Sequence, residues 1–256
     1  MFGAALATCA APGIGLLISS AHFFRRKNSF RPVWCPLNGK QARGILSLGV
    51  SSLITEVSSG IVMLVFNQII LSLSGNMGVA AYGIIANLAL IVVSIFTGVA
   101  QGIQPIVSRS FGSGQMRHVK QIFHYGVITA AAFGLLFLGV GWFFFQPVVG
   151  IFNQENNLEM ERLASQGLPL YFLAFPMMGV NILASSYLAS LFKGGPAFLL
   201  SALRGAAAVI PAVFILSQLF GLTGVWLAVP CAEALTFLVF LGMLPFCFRH
   251  SKGSGA

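Results

Sequence analysis

The sequence predicts an all-α, polytopic membrane protein, and its composition, its charge and the length of its apolar runs support this fold class. Of the 256 residues, 57% are hydrophobic and 7% are charged, whereas about a quarter of the residues of a soluble domain are charged. The apolar runs continue over about 20 residues without the alternation that is typical of membrane strands. Because lipid offers no hydrogen-bond partners to the backbone, such runs predict helices.

Charges, prolines and glycines divide the chain into seven candidate spans. They are residues 2–24, 44–73, 80–108, 121–146, 166–192, 196–220 and 222–248. Each is long enough to cross a hydrocarbon core of about 30 Å, the longer ones with some tilt. The predicted architecture is a bundle of about seven transmembrane helices.

Lysine and arginine lie almost wholly in alternate connections between these spans. Thirteen of the fourteen basic residues lie at the first, third and fifth connections or in the C-terminal tail, if Arg204, just inside the sixth span, is counted with the fifth connection. The remaining one, Arg162, shares a loop with three glutamates. Cytoplasmic loops are enriched in Lys and Arg, so this distribution predicts an external N-terminus and a cytoplasmic C-terminus in the plasma (inner) membrane. The net charge of +9 therefore reflects orientation, and no nucleic-acid partner is expected.

Two of the five acidic residues, Glu56 and Glu233, fall inside predicted spans. A carboxylate at membrane depth costs a few kcal/mol and normally faces a bundle interior or a water-filled cavity. Each is therefore a candidate site residue. For Glu233, a carboxylate that is tied to a neighbouring helix or hydrated near the interface is an equal alternative.

Polar and small residues form stripes at helical spacing in three of the predicted spans. The stripes are Glu56, Ser59, Gly60, Met63 and Asn67; Asn87, Ser94, Gly98, Gln101 and Pro105, with Gln104 one turn from Gln101; and Tyr171, Met178, Asn181 and Ser185. Residues three or four apart share one face of a helix. The stripes predict the wall of a cavity, or else surfaces where helices pack closely and hydrogen-bond to one another.

The sequence holds no constellation that is typical of an enzyme. It contains no Asp, and its four histidines, His22, His118, His124 and His250, have no metal-ligand spacing. Paired carboxylates, or a Ser or Cys with a nearby His, would be needed for hydrolytic chemistry. Neither an enzyme nor a resident cofactor or metal is predicted.

Four stretches of the sequence carry a family resemblance. They are GVAAYGIIANLALIVVSIFTGVAQGIQPIVSRSFGSGQ (78–115), SSLITEVSSGIVMLVFNQIIL (51–71), SYLASLFKGGPAFLLSALRGAAAVIPAVFIL (186–216) followed by FGLTGVWLAVPCAEALTF (220–237), and GAALAT (3–8). Together they resemble the multidrug and toxic compound extrusion (MATE) family of antiporters. The stretches cover most of the chain.

The resemblance implies a division of the chain into parts of a two-lobe transporter. MATE transporters have two six-helix lobes, related as a parallel repeat. Residues 1–25 would be the last helix of the first lobe, 26–43 a basic cytoplasmic linker, 44–248 the six-helix second lobe and 249–256 a cytoplasmic tail. Nearly all of the first lobe would be missing, so a separate N-terminal lobe is an expected partner.

The function that the resemblance implies is export of lipophilic, often cationic compounds by antiport with Na⁺ or H⁺. Glu56 would alternately hold the coupling ion and the transported cation. The residues expected to line the cavity or bind ion or substrate with it are Asn67, Asn87, Gln101, Gln104, Asn181 and Glu233. Membrane lipids and the transported compounds are the other expected partners, and the coupling ion takes the place of a cofactor.

Two alternatives to a multidrug exporter remain at this stage. One is a related flippase for lipid-linked sugars, which is expected to need a more cationic cavity than these spans offer. The other is a partial gene product that does not transport and needs a partner lobe.

Overall fold

The computed structural model of the protein describes residues 10, 12–18, 20–21, 39–153, 157–191 and 194–249, and it describes the side chains of all of these except 40–56, 194 and 245–249. Residues 1–49 and 50–256 form separate compact units. In the first unit, residues 12–18 are helical and exposed. The rest of the first predicted span lies largely outside the described residues, as does most of the predicted linker.

The longest helix, α1, runs over Gly39–Gly112 and turns back on itself at Gly75. Gly75 has φ 62° and ψ −158°, a conformation that glycine adopts readily and other residues rarely do. The rings of Phe66 and Tyr82 stack with their centroids 5.5 Å apart, although sixteen residues of straight helix would separate them by about 24 Å. The two arms of α1 therefore pack side by side. The break falls between the second and third predicted spans.

Shorter helices follow α1 along the described chain. They are α2 (Met116–Phe143), α3 (Phe145–Phe152), α4 (Leu158–Phe172), α5 (Phe175–Ser190), α6 (Gly194–Ala202), α7 (Ala208–Phe220) and α8 (Leu222–Arg249), with a π-helical segment, Leu203–Ala207, between α6 and α7. Two of the predicted spans are broken. α4 and α5 are bent by 48° relative to each other, and Gly205 in the π-helical segment has a non-helical ψ of −132°.

Several of these helices have the length and hydropathy of membrane spans. Among the described residues, four helices are long and apolar enough to cross a membrane, or five if the bent pair α4 and α5 counts as one span. One of the four is Val57–Gly112, 56 residues long, which contains the reversal at Gly75. The all-α, polytopic membrane fold class is confirmed. The number of seven spans stays a prediction.

Aromatic side chains pack against glycines where the helices cross. Trp226 of α8 is 1% exposed, and it lies so close to Gly167 of α4 that a Cβ there would be 2.7 Å from the indole. Gly179 of α5 accommodates Phe96 of α1 in the same way. Small residues at crossings let helices approach closely. Large apolar side chains such as Phe143 point outward, which fits a surface that faces lipid.

Candidate functional site

A glutamate, an asparagine and an arginine from three helical segments meet inside the bundle. Glu233 lies in α8, Asn181 in α5 and Arg204 in the π-helical segment. The Asn181 Nδ2 donates to Glu233 Oε2 at 2.7 Å and to the Glu233 main-chain O at 2.9 Å. The Arg204 Nε donates to Glu233 Oε1 at 3.1 Å. These three residues are called the Asn–Glu–Arg cluster below.

The cluster is largely closed to the surroundings of the bundle. Glu233 is 2% exposed and Asn181 is fully buried, whereas 22% of the Arg204 side chain is exposed. Every residue of α5 from 178 to 184 is buried, so the Asn181 amide has only protein groups to bond with. A buried amide and a buried carboxylate that bond to each other avoid the cost of unsatisfied polar groups.

The backbone of the π-helical segment affects the direction in which Arg204 points toward α8. A π turn holds one more residue than an α turn, so it changes the rotation of the side chains about the helix axis. Arg204 lies in such a turn, one residue before the non-helical Gly205. An uninterrupted α-helix over the same residues would direct this side chain differently.

The cluster carries no net formal charge, because the Glu233 carboxylate is paired with the Arg204 guanidinium. An ion pair in low dielectric is favourable only when the remaining lone pairs are also hydrogen-bonded. Asn181 supplies that bond at the second carboxylate oxygen. Its own Oδ1, in contrast, accepts no hydrogen bond from any residue that the structure describes. That atom is available to a further donor or to a cation.

A cavity of about 400 Å³ lies beside the broken helix. Its lining includes Ser58 of α1, Ala202, Gly205 and Ala206 near the π-helical segment, and Pro211 of α7. These residues are small or apolar, so the cavity suits an apolar group better than a hydrated ion. Within the described part of the chain, no group of three or more His, Cys, Asp or Glu residues is placed to hold a metal ion.

Two residues predicted from the sequence as ion- or substrate-binding, Asn181 and Glu233, are in direct contact. Arg204 is absent from that predicted set, although it touches the same carboxylate. A signal for it does exist in the sequence. An arginine inside an apolar segment needs a counter-charge, and the predicted spans contain only Glu56 and Glu233 to supply one.

The other predicted site residues lie on α1 and do not join the cluster. Asn67 is half-buried on the first arm, and Asn87, Gln101 and Gln104 are exposed on the second. The Asn87 Nδ2 donates to the Gly83 carbonyl of its own helix at 2.8 Å. Their roles in binding stay predictions.

Glu56 also lies on α1, but its side chain is outside the part of the structure that is described. The prediction that neighbouring helices shelter its carboxylate from lipid is therefore untested. Its role in holding the coupling ion stays a prediction as well.

One face of the second arm of α1 is polar or small and is uncovered. It consists of Asn87, Ser94, Gly98, Gln101 and Pro105, all of which are exposed, and it is called the polar face below. Residues on the other side of the same arm, such as Ile85 and Phe96, are almost fully buried. The arm thus packs one apolar side into the bundle and leaves the polar face open, together with Leu90 and Ile91, which are also exposed.

Comparison with known proteins places this helical chain in a family. A family model described as MatE matches residues 49–229, which is more than half of the chain. The chain belongs to the MATE family. Members of this family are transporters, so the MATE chain is not an enzyme.

Relatives of the MATE chain include multidrug export proteins of staphylococci. It is 26% identical over 243 residues to the multidrug export protein MepA of Staphylococcus haemolyticus (strain JCSC1435), covering 94% of this chain and 52% of that protein. It is 28% identical over 205 residues to MepA of Staphylococcus aureus (strain NCTC 8325 / PS 47), covering 78% of this chain and 44% of that protein. The chain spans about half the length of the curated relatives it matches.

Solved structures of transporters share the fold of the MATE chain. One is a transporter of the MOP superfamily from Pyrococcus furiosus Vc1 (DSM3638), with a TM-score of 0.82 and 16% identity over 93% of this chain and 54% of that chain. Another is a multidrug resistance MATE family transporter in an outward-facing conformation, with a TM-score of 0.80 and 16% identity over 91% of this chain and 52% of that chain. At these identities the likeness concerns the fold alone, and it confirms the predicted MATE-like fold.

Replacing Asn181 with leucine is expected to destabilise the MATE chain by about 1–3 kcal/mol, because Glu233 Oε2 and the Glu233 main-chain O lose the amide that donates to them. The apparent melting temperature in detergent, followed by size-exclusion chromatography, measures this effect. Asn87→Leu is the matched control, since that amide is exposed and bonds only within its own helix. Equal melting temperatures for the two variants would contradict a stabilising role for Asn181.

Proposed function

We propose that the chain is the second half of a transporter that exports lipophilic, often cationic compounds in exchange for Na⁺ or H⁺. The family match over residues 49–229 supports transport, and the relatives that bear the name multidrug export protein support drugs as the cargo. The share of those relatives that the chain covers supports its assignment as one half.

The observation that carries this proposal is the uncovered polar face of α1. Lipid offers no hydrogen-bond partners to amide side chains or to exposed backbone groups. A polar face on a membrane helix therefore normally contacts water or other protein segments. Asn87, Gln101 and their neighbours on that face are exposed while the opposite side of the arm is buried. In a two-lobe transporter, this face would line the aqueous cavity between the halves.

Within the proposed cavity, a carboxylate has to balance each transported positive charge. Glu56 is proposed to hold the coupling ion and the cationic compound in turn, because one buried charge at membrane depth does not stay without a partner. Asn67, Asn87, Gln101, Gln104 and Asn181 are proposed to donate and accept hydrogen bonds along the pathway. Glu233 is proposed as a second acidic group that binds a cation.

The proposed setting is the plasma membrane, with the N-terminus outside and the C-terminus in the cytoplasm. The alternation of Lys and Arg between successive loops supports this orientation. A half-transporter has no second lobe against which to alternate access, so the proposed activity requires a first lobe, either on the same chain or as a separate partner.

Glu56→Gln is expected to abolish drug resistance in a two-lobe protein that carries this chain as its second lobe, because a neutral amide cannot balance the charge of a coupling cation. Growth of a drug-hypersensitive host on ethidium and tetraphenylphosphonium measures resistance, and immunoblotting of membranes checks expression. Glu159→Gln is the matched control, since Glu159 is exposed in the first turn of α4.

Undiminished efflux by the Glu56→Gln protein would reject the role of Glu56. Absence of resistance from the unaltered two-lobe protein, at normal expression, would reject multidrug export. It would leave the chain as a partial product that does not transport.

A further inference from the structure

Among the described residues, one contact to a basic side chain balances the charge of Glu233. Arg204 reaches the carboxylate through Nε alone, at 3.1 Å. A guanidinium that binds a carboxylate most strongly uses two parallel N–H groups. The terminal nitrogens of Arg204 take no part in this contact with Glu233, and 22% of its side chain is exposed. The Glu233 side chain is thus buried, whereas the Arg204 side chain is partly exposed.

We propose that Arg204 is a tethered counter-ion, which an incoming Na⁺ or lipophilic organic cation displaces from Glu233. This inference rests on the proposed function, and it names Arg204 as the residue that sets how strongly the Glu233 site holds a cation.

Charge balance prevents an incoming cation and the Arg204 guanidinium from pairing with the Glu233 carboxylate at the same time. One carboxylate neutralises one monovalent cation, so a cation that joins the intact cluster would leave a net charge of +1 at membrane depth. A net charge in the buried cluster is unfavourable. Release of Arg204 restores neutrality at the carboxylate, and because 22% of its side chain is already exposed, the released guanidinium can move toward that exposed side. Cation binding and Arg204 binding to Glu233 therefore compete.

The groups around the Glu233 carboxylate suit a cation that replaces the guanidinium. Oxygen atoms of carboxylates and amides are the ligands that hard cations prefer. Asn181 lies against the carboxylate, with Nδ2 2.7 Å from Oε2, and its buried Oδ1 accepts nothing from the described residues. Rotation of this amide would present Oδ1 to an ion at Glu233. Thr236, one turn further along α8, is also buried, and its hydroxyl donates to the Ala232 carbonyl.

The helical segment that carries Arg204 contains a point, Gly205, at which its backbone can bend. Gly205 already departs from helical geometry, and π turns often coincide with kinks and functional sites in helices. A cavity of about 400 Å³ borders Ala202, Gly205 and Ala206, and Phe198 and Ile210 also line it. A movement of Gly205 and Ala206 toward the cavity would draw Arg204 away from Glu233.

Binding of radioactive ²²Na⁺ to the purified full chain in detergent, at constant ionic strength with choline, tests the competition. Arg204→Gln is expected to bind Na⁺ about tenfold or more tightly than the unaltered chain, because the internal competitor is gone. Arg204→Gln combined with Glu233→Gln is expected to lose that gain. Arg162→Gln removes an equal charge from an exposed position of α4 and is the matched control. An Arg204→Gln chain with the Na⁺ affinity of the unaltered chain, or a weaker one, would overturn the proposal.

A second measurement uses the unaltered chain and does not depend on the folding of a variant. Phenylglyoxal modifies free guanidinium groups, and mass spectrometry of peptides quantifies the modification of Arg204. Saturating Na⁺ or tetraphenylphosphonium is expected to raise its rate of modification several-fold over choline. An equal rate in all three salts would also overturn the proposal.

The two proposals fail in different ways. The inference on Arg204 is wrong if the Arg204→Gln chain binds Na⁺ no more tightly than the unaltered chain, whatever the resistance assay gives. The proposed function is wrong if the two-lobe protein confers no drug resistance, even if the Arg204→Gln chain binds Na⁺ more tightly.

Discussion

Glu233→Leu is expected to lower the free energy of unfolding by about 2–4 kcal/mol, because it leaves the Arg204 guanidinium without a counter-charge inside the bundle. Breaking a fully buried ion pair costs more than this, but 22% of the Arg204 side chain is exposed and is partly screened. Asn181 also loses the carboxylate to which its Nδ2 donates. For a chain of this length, the apparent melting temperature in detergent should fall by roughly 5–10 °C.

The double variant Glu233→Leu with Arg204→Leu separates charge from packing. Replacing both members of a buried pair by apolar residues is often neutral or stabilising, so the double variant is expected to recover most of the lost stability. Glu159→Leu, at an exposed position, is the surface control. A double variant as unstable as Glu233→Leu alone would show that the pair does not account for the loss.

Gly224→Val is expected to prevent α7 and α8 from packing and so to abolish most of the folded protein. A Cβ at Gly224 would overlap the main-chain carbonyl of Leu216 and lie 3.0 Å from the Ser217 nitrogen. Backbone atoms of a packed helix cannot move aside as a flexible side chain does, so the cost should exceed about 3 kcal/mol. α7 and α8 are joined at Gly221, whose φ of 59° forms the tight turn that brings these atoms together.

Gly242→Val provides the comparison within the same helix. A Cβ at Gly242 meets no heavy atom within 4 Å in the described structure, so this variant should fold as the unaltered chain does. The yield of monodisperse protein and its helical circular dichroism measure the difference. Normal yield and melting temperature for Gly224→Val would mean that α7 and α8 do not approach each other in this way.

The breaks in the helices were predictable to different degrees from the sequence. The reversal of α1 at Gly75 lies in the interval between two predicted spans, because glycine and polar residues interrupt the apolar run there. The 48° bend between α4 and α5 and the π turn at Leu203–Ala207 lie inside predicted spans. Packing against neighbouring helices decides such breaks, and local composition carries little trace of them.

The polar stripes were also only partly predictable from the sequence. Spacing alone placed Asn87, Ser94 and Gln101 on one face of a helix, and the structure has them on one exposed face. Spacing did not show that this face is open while Asn181 is closed in by its neighbours. Both stripes look alike in the sequence, because a helical period reports which residues share a face and not what covers that face.

The sequence by itself determined that this chain is a helical membrane protein, since hydropathy and the need to satisfy the backbone in lipid act within each segment. Its four quoted stretches also carry the resemblance to the MATE family. Only the tertiary structure decided that Glu233 meets Asn181, 52 residues away, and Arg204, 29 residues away. These contacts depend on the rotation of three helical segments about their axes and on one π turn. Packing among segments sets those rotations, and no single segment encodes them.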